Sequence, residues 1–250
     1  MSIATDINRI KAAKDAIKAA LVTKGITVPE GTKLDELALL VASIAIGYPN
    51  SSLRNIIQRT GVIAPLPVEL TTIGPYAFYN CSALNWDSLP SGIVTIGTYA
   101  FFGCRALTLT SLPSGVTLIE GNAFRDCSAL ALTSLPPGVT AINTNTFYGC
   151  TALALTSLPD GITTIGSTAF TGCSALAIAS LPASLATIAA NAFSSCVGLR
   201  SLNIGAAITS IGTTAFGSCP NLTRITINKP ANSISGAPWG ATNATVMWTG

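Results

Sequence analysis

AFRDCSALALTSLP, residues 123–136, sets one cysteine between a phenylalanine and a leucine-rich run of small neutral residues. The same wording returns along the chain. Cysteine stands at 81, 104, 127, 150, 173, 196 and 219, each 23 residues from the last, and these are all seven cysteines in the protein. The step also carries phenylalanine from Phe78 to Phe216, leucine from Leu84 to Leu222 and isoleucine from Ile73 to Ile211. Five units share a Leu-Pro, from Leu89-Pro90 to Leu181-Pro182. Four residue types in register over seven units define a solenoid, in which one unit cannot bury its apolar face alone and stacked units bury a continuous column.

A 23-residue unit has room for a short strand, two turns and a tight helical or irregular return. After the second cysteine, Cys104, the residues Leu107 and Leu109 share a face by period two, whereas Leu112 has the opposite parity. This predicts a bulge or corner between them, with the ladder ending at Pro113. A second short strand carries Val116 and Ile119, and EGNAFRDC (120–127) turns back with Phe124 inward.

LPDGITTIGSTAFTGCSAL (158–176) and GAAITSIGTTAFGSCPNL (205–222) carry a pattern that resembles the BspA-like, treponemal-type leucine-rich repeats, over residues 63 to about 228. The resemblance implies an α/β solenoid of seven repeats with short parallel strands. One departure stands out. Units two to five write forms such as LTLTSLP or LALTSLP, with the middle apolar residue one place earlier than in LTRITI (222–227) of unit seven, so the strand register is expected to shift along the stack.

Charge marks the N-terminal end, where residues 1–46 hold 11 of the 23 charged side chains. Ile7, Ile10, Ala13, Ile17, Ala20 and Leu21 fall at steps of three and four, predicting an amphipathic helix that Gly25 ends. A second helix is predicted from about Lys33 to Ser43, giving a helical hairpin over 1–46 that serves as cap or attachment. INRIKAAKDAIKAALVTKGITVPEGTKLDEL (7–37) resembles the N-terminal module of phage tail and prophage structural proteins. Residues 47–62 read as a linker, 63–228 as the solenoid and 229–250 as a C-terminal cap outside the repeat, with Trp239 and Trp248 covering the last coil.

Composition argues against several function classes. Charged residues are 9% of the chain, against roughly 25% in an ordinary globular domain, and the net charge is +3 with no basic run. A nucleic-acid partner is therefore not expected. The longest apolar stretch, LALLVASIAI (37–46), is too short for a membrane span, and the N-terminus as written shows no Sec-type signal. The chain has no histidine, which removes Ser-His-Asp and Cys-His catalysis and imidazole metal sites. Within the repeats the carboxylates Glu69, Asp87, Glu120, Asp126 and Asp160 are scattered, so no acid–base pair, catalytic residue, metal site or cofactor is expected.

Three readings compete for Cys81, Cys104, Cys127, Cys150, Cys173, Cys196 and Cys219. A zinc site needs close pairs, which are lacking. Disulfides between neighbouring coils are compatible with a strand spacing near 4.8 Å, but equivalent side chains in a stack point in parallel and do not converge. The third reading is a structural ladder of buried reduced thiols.

The units differ most two and five residues before each cysteine. Tyr76, Tyr79, Tyr99, Phe102, Arg125 and Tyr148 occupy these positions in the N-terminal half. They form either a contact stripe for protein or cell-surface carbohydrate, or rings packed along the solenoid flank or the hairpin. From these residues and the resemblances, the expected function is non-enzymatic: a structural or recognition protein of a phage or prophage particle, oligomeric or part of a larger assembly. The alternatives are a bacterial surface adhesin and a self-assembling fibre. The expected location is the virion or the cell surface.

Overall fold

The computed structural model describes residues 70–250 together with Asp15, Ala19 and Leu66. The predicted hairpin and linker lie outside the described residues, apart from Asp15 and Ala19, which are both helical. From residue 70 onward the chain winds as a parallel β-solenoid of eight coils, the first seven built around Phe78 to Phe216 and the eighth around Trp239. Among residues 70–250 there is no helix, so this part is a β-solenoid and not the α/β form that the resemblance implied.

Each of coils one to seven contributes a two-residue strand: β1 (Thr72–Ile73), β2 (Thr95–Ile96), β3 (Leu118–Ile119), β4 (Ala141–Ile142), β5 (Thr164–Ile165), β6 (Thr187–Ile188) and β8 (Ser210–Ile211). The isoleucine of each is buried and the residue before it faces outward, as period two requires. These strands pair in parallel at the repeat step, Thr72 with Thr95 and Ile73 with Ile96, and so on along the stack.

After the strand comes the return segment, a run of turns that is bonded as regularly as a sheet. In coil two, Ala100, Phe102 and Cys104 donate their N–H groups three residues back, to Gly97, Tyr99 and Phe101. The alternate residues Tyr99, Phe101 and Gly103 donate to Gly121, Ala123 and Arg125 of the next coil. This alternation needs two left-handed residues per coil, five places and one place before the cysteine. The second file is Asn80, Gly103, Asp126, Gly149, Gly172, Ser195 and Ser218. Glycine takes this conformation without strain at Gly103 (φ 71°), where a Cβ would meet the side-chain oxygen of Asn80 and that side chain would have to shift.

The third side of the coil corrects the strand prediction. Leu107, Leu109 and Leu112 are all buried, and the chain bends at Thr110 between them, but the segment forms no strand. In coils six to eight the equivalent stretch is regular: β7 (Ser201–Ile204), β9 (Arg224–Ile227) and β10 (Thr245–Trp248) make a three-stranded parallel sheet. The reason lies in the apolar spacing. Leu199, Leu202 and Ile204 end on a strict period-two pair, whereas Leu107, Leu109 and Leu112 begin with one and then slip by a residue.

The C-terminal segment lacks the motif yet follows the coil path. Ile234 and Trp239 lie 23 residues after Ile211 and Phe216, and both are buried. The coil then shortens, because β10 pairs Thr245 with Arg224 at a step of 21 residues. Trp239 donates its indole N–H to the Ser235 carbonyl at 2.8 Å and meets the Trp248 ring edge-on at 6.4 Å.

The core is a set of files. Phe78, Phe101, Phe124, Phe147, Phe170, Phe193 and Phe216 stack with ring centroids 5.2–5.8 Å apart. Trp86 closes on the edge of Phe78 at 4.9 Å. The strand ladder is interrupted once, between β3 and β4. Elsewhere the residue after each isoleucine donates its backbone N–H to the previous coil, as Gly97 does to Ile73 and Gly166 to Ile142. At the interruption the side-chain Nδ2 of Asn143 takes the Ile119 carbonyl instead, at 2.7 Å. Thr146 stands where the other coils have alanine and is buried, donating its hydroxyl to the carbonyl of Asn143 at 2.9 Å.

Candidate recognition surface

The seven cysteines are buried and form no disulfide, and six of them are locked into the backbone. Each thiol from Cys104 to Cys219 donates to the carbonyl of the preceding coil's phenylalanine, at 2.9–3.1 Å. Burial pushes Cys104, Cys127, Cys150, Cys173 and Cys196 well above the ordinary thiol range, and Cys219 is raised for the same reason. A thiol held neutral, buried and already donating is a poor nucleophile and a poor ligand.

The variable positions fall on the flank formed by the return segment. Two files run there in parallel. In one, Tyr79 stacks on Phe102 at 4.8 Å, and the Arg125 guanidinium lies 5.6 Å from the Phe102 ring and 4.5 Å from the Tyr148 ring. The result is a four-coil sandwich of two aromatic rings, a planar cation and a third ring. In the other, Tyr76 stacks on Tyr99 at 5.0 Å. The two files touch, with Tyr76–Tyr79 at 5.7 Å and Tyr99–Phe102 at 5.7 Å. All six residues are half-buried. The rings pack along the flank, and the faces they turn along the stack axis are spent on one another and on Arg125. A sugar ring that needs an open aromatic face finds none between the stacked coils.

Beyond coil four the flank changes character. The first file continues as Thr171, Ser194 and Gly217. The second changes earlier, at Asn122 and Asn145 of coils three and four, and continues as Thr168, Asn191 and Thr214, where Thr168 donates to Asn145 and Thr214 to Asn191 Oδ1. Carboxylates on this side have local partners. Glu120 accepts the Thr98 backbone N–H at 2.7 Å and its hydroxyl at 2.6 Å, and Asp126 sits 3.5 Å from Arg125 Nε. Among the described residues no three histidine, cysteine or carboxylate side chains converge as a metal site would require, and no helix is long and apolar enough to cross a membrane.

The sequence matches the BspA type Leucine rich repeat region in six copies, over residues 63–176 and 140–243. The chain belongs to the BspA-type leucine-rich repeat family. A BspA-type solenoid is by its build a repeat scaffold, and the eight-coil stack described above is of that kind. Among solved structures it is similar to a leucine-rich repeat protein of T. pallidum, with 31% identity and a TM-score of 0.55 over 64% of this chain and 77% of the other. It is also similar to a leucine-rich cell surface protein from Faecalibacterium prausnitzii, with 23% identity and a TM-score of 0.40 over 78% and 82%. A search of the curated proteins found no match.

Proposed function

We propose that this protein is a non-enzymatic recognition scaffold working at a cell surface, and that the flank of Tyr76, Tyr79, Tyr99, Phe102, Arg125 and Tyr148 is where it contacts a protein partner. The observation that carries the reading is the sandwich across coils one to four. It holds tyrosine and arginine, the residue types that dominate binding hot spots, in an order already fixed before any partner arrives. Pre-ordered side chains lose little entropy on binding. A protein surface, with its donors and acceptors, suits rings whose faces are already stacked better than a sugar ring does. The second setting, a phage or prophage particle carrying the same scaffold, draws on the likeness of residues 7–37 to phage tail modules.

A test must separate ring packing from recognition. Replacing Tyr76, Tyr79, Tyr99 and Tyr148 together by Phe keeps the stack and removes the hydroxyls. Binding of the labelled protein to intact bacterial and epithelial cells should fall at least tenfold with little change in Tm, and treating the cells with protease should abolish it. Unchanged binding by the variant would remove the flank from the function. Loss of binding on periodate treatment, with survival of protease treatment, would make the partner a carbohydrate.

A further inference from the structure

Residues 161–250 contain no aspartate or glutamate, yet they hold Arg200, Arg224 and Lys229. The fold brings the two arginines to one place. Ser201 of β7 is the direct register partner of Arg224 in β9, and Arg200 immediately precedes Ser201. The Thr223 N–H donates to the Arg200 carbonyl at 2.9 Å, which ties the two strand entrances together. Both arginines are exposed, and neither guanidinium has an ion-pair or hydrogen-bond partner among the described residues. Arg200 precedes β7 and is offset by one residue from the register partner of Arg224, so the two charges lie on adjoining coils, and with no carboxylate in residues 161–250 neither gives the fold an ion pair there.

The surface around them is an outward sheet face. Period two turns Ser201, Asn203, Arg224, Thr226, Thr245 and Met247 away from the core, while Leu202, Ile204, Ile225 and Ile227 point in. Apart from Met247 this face is hydroxyl, amide and guanidinium. A protein interface would want an apolar or aromatic centre, and here there is none. Two guanidiniums one coil apart, flanked by hydrogen-bonding groups, fit a polymer that runs along the stack axis and repeats an anion among hydroxyls.

We infer that the outward face of β7, β9 and β10, with Arg200 exposed at the entrance to β7, is a second binding surface, whose ligand is an acidic polysaccharide held by Arg200 and Arg224. It lies on different coils and a different side from the aromatic flank, and its composition is different.

The full chain is passed over immobilised polygalacturonate, heparin, polyglutamate and dextran. Retention is expected on the two acidic polysaccharides but not on dextran, and it should vanish at about 1 M salt, where the screening length falls to about 3 Å. R200Q/R224Q should weaken retention by about tenfold or more, in line with the loss of charge-assisted hydrogen bonds. K11Q/K18Q, in the cationic N-terminal segment, should elute like the parent. Separately, Arg224→Thr should leave Tm equal or higher, since it removes an exposed charge with no side-chain partner and places a good strand former in β9. The proposal is overturned by equal elution on dextran, by retention indifferent to R200Q/R224Q, or by an equal loss in K11Q/K18Q. Stronger retention on polyglutamate would assign the face to an acidic protein instead. A lower Tm for Arg224→Thr would show that the arginine serves the fold.

Discussion

Coils two to four and coils six and seven bury the same kinds of residue at the same step, but they run by different routes and show different surfaces. In the earlier coils the stretch after the cysteine bends at Thr110 or its equivalents, and the flank opposite carries stacked rings around Arg125. In the later coils that stretch is the sheet β7–β9–β10, and the flank is serine, threonine and glycine. The inward residue sets what the coil is, and the position of one apolar residue sets how the backbone gets there. Surface chemistry then varies almost without constraint, which is what lets a repeat scaffold carry two unlike faces.

The largest expected effect tests what the two regions share. The thiols from Cys104 to Cys219 are raised by burial, so in the folded chain they stay protonated where the unfolded chain has lost its protons. Stability should therefore be level below the ordinary thiol value of 9.0 and fall as pH rises through it. Each thiol contributes up to about 1.4 kcal/mol per pH unit. Thermal melts from pH 7 to 11 check this, and a flat profile would mean that the thiols are accessible when folded. In a thiol-reagent assay, Cys219 should react first among the native thiols, being less deeply covered, and denatured protein should yield all seven.

A middle-sized effect tests the route. Leu132→Thr with Thr133→Leu rewrites coil three in the spacing of coil six while its neighbours keep the bend. Burying the threonine and exposing the leucine should cost about 2–4 kcal/mol by denaturant titration. No change would show that the spacing does not decide the route.

The smallest effect concerns the interruption between coils three and four. Ala189 occupies the position of Asn143 in coil six and keeps its backbone bond to Ile165 at 2.9 Å. Asn143→Ala should restore the corresponding bond and raise stability by about 0.5–1 kcal/mol, seen as slower hydrogen exchange of the amide at position 143.

Much of the fold was legible because a stack demands the same residue at the same place. Phe, Cys, Leu and Ile at a step of 23 gave the coil and its inward faces, and the variable positions gave the flank. The return segment's turns, the bend and the lack of strand at Leu107–Leu112 were less legible, since two-residue strands leave no periodicity to read. The eighth coil escaped because alanine replaces the cysteine at Ala241 and the step shortens to 21 at β10. The signal was there in Trp239, 23 residues after Phe216. That the flank rings spend their faces on one another follows from the coil spacing, but residue type alone had left sugar stacking open. Asn143 and Glu120 are visible as departures from Gly74, Gly97, Gly166 and Gly212, whereas the competition of a side-chain amide for a carbonyl shows only in three dimensions.

The interruption has a mechanical side. A solenoid tethered at one end and bound at the other carries load along its axis, through whatever joins coil to coil. Between coils three and four the strand side is joined by side-chain bonds, from Asn143 to Ile119 and from Thr146 to Glu120, where other junctions have backbone ladders. Load on the strand side of this junction therefore passes through side chains, while the return segment carries the rest through the backbone bonds of Asn122, Phe124 and Asp126 to Thr144, Thr146 and Tyr148.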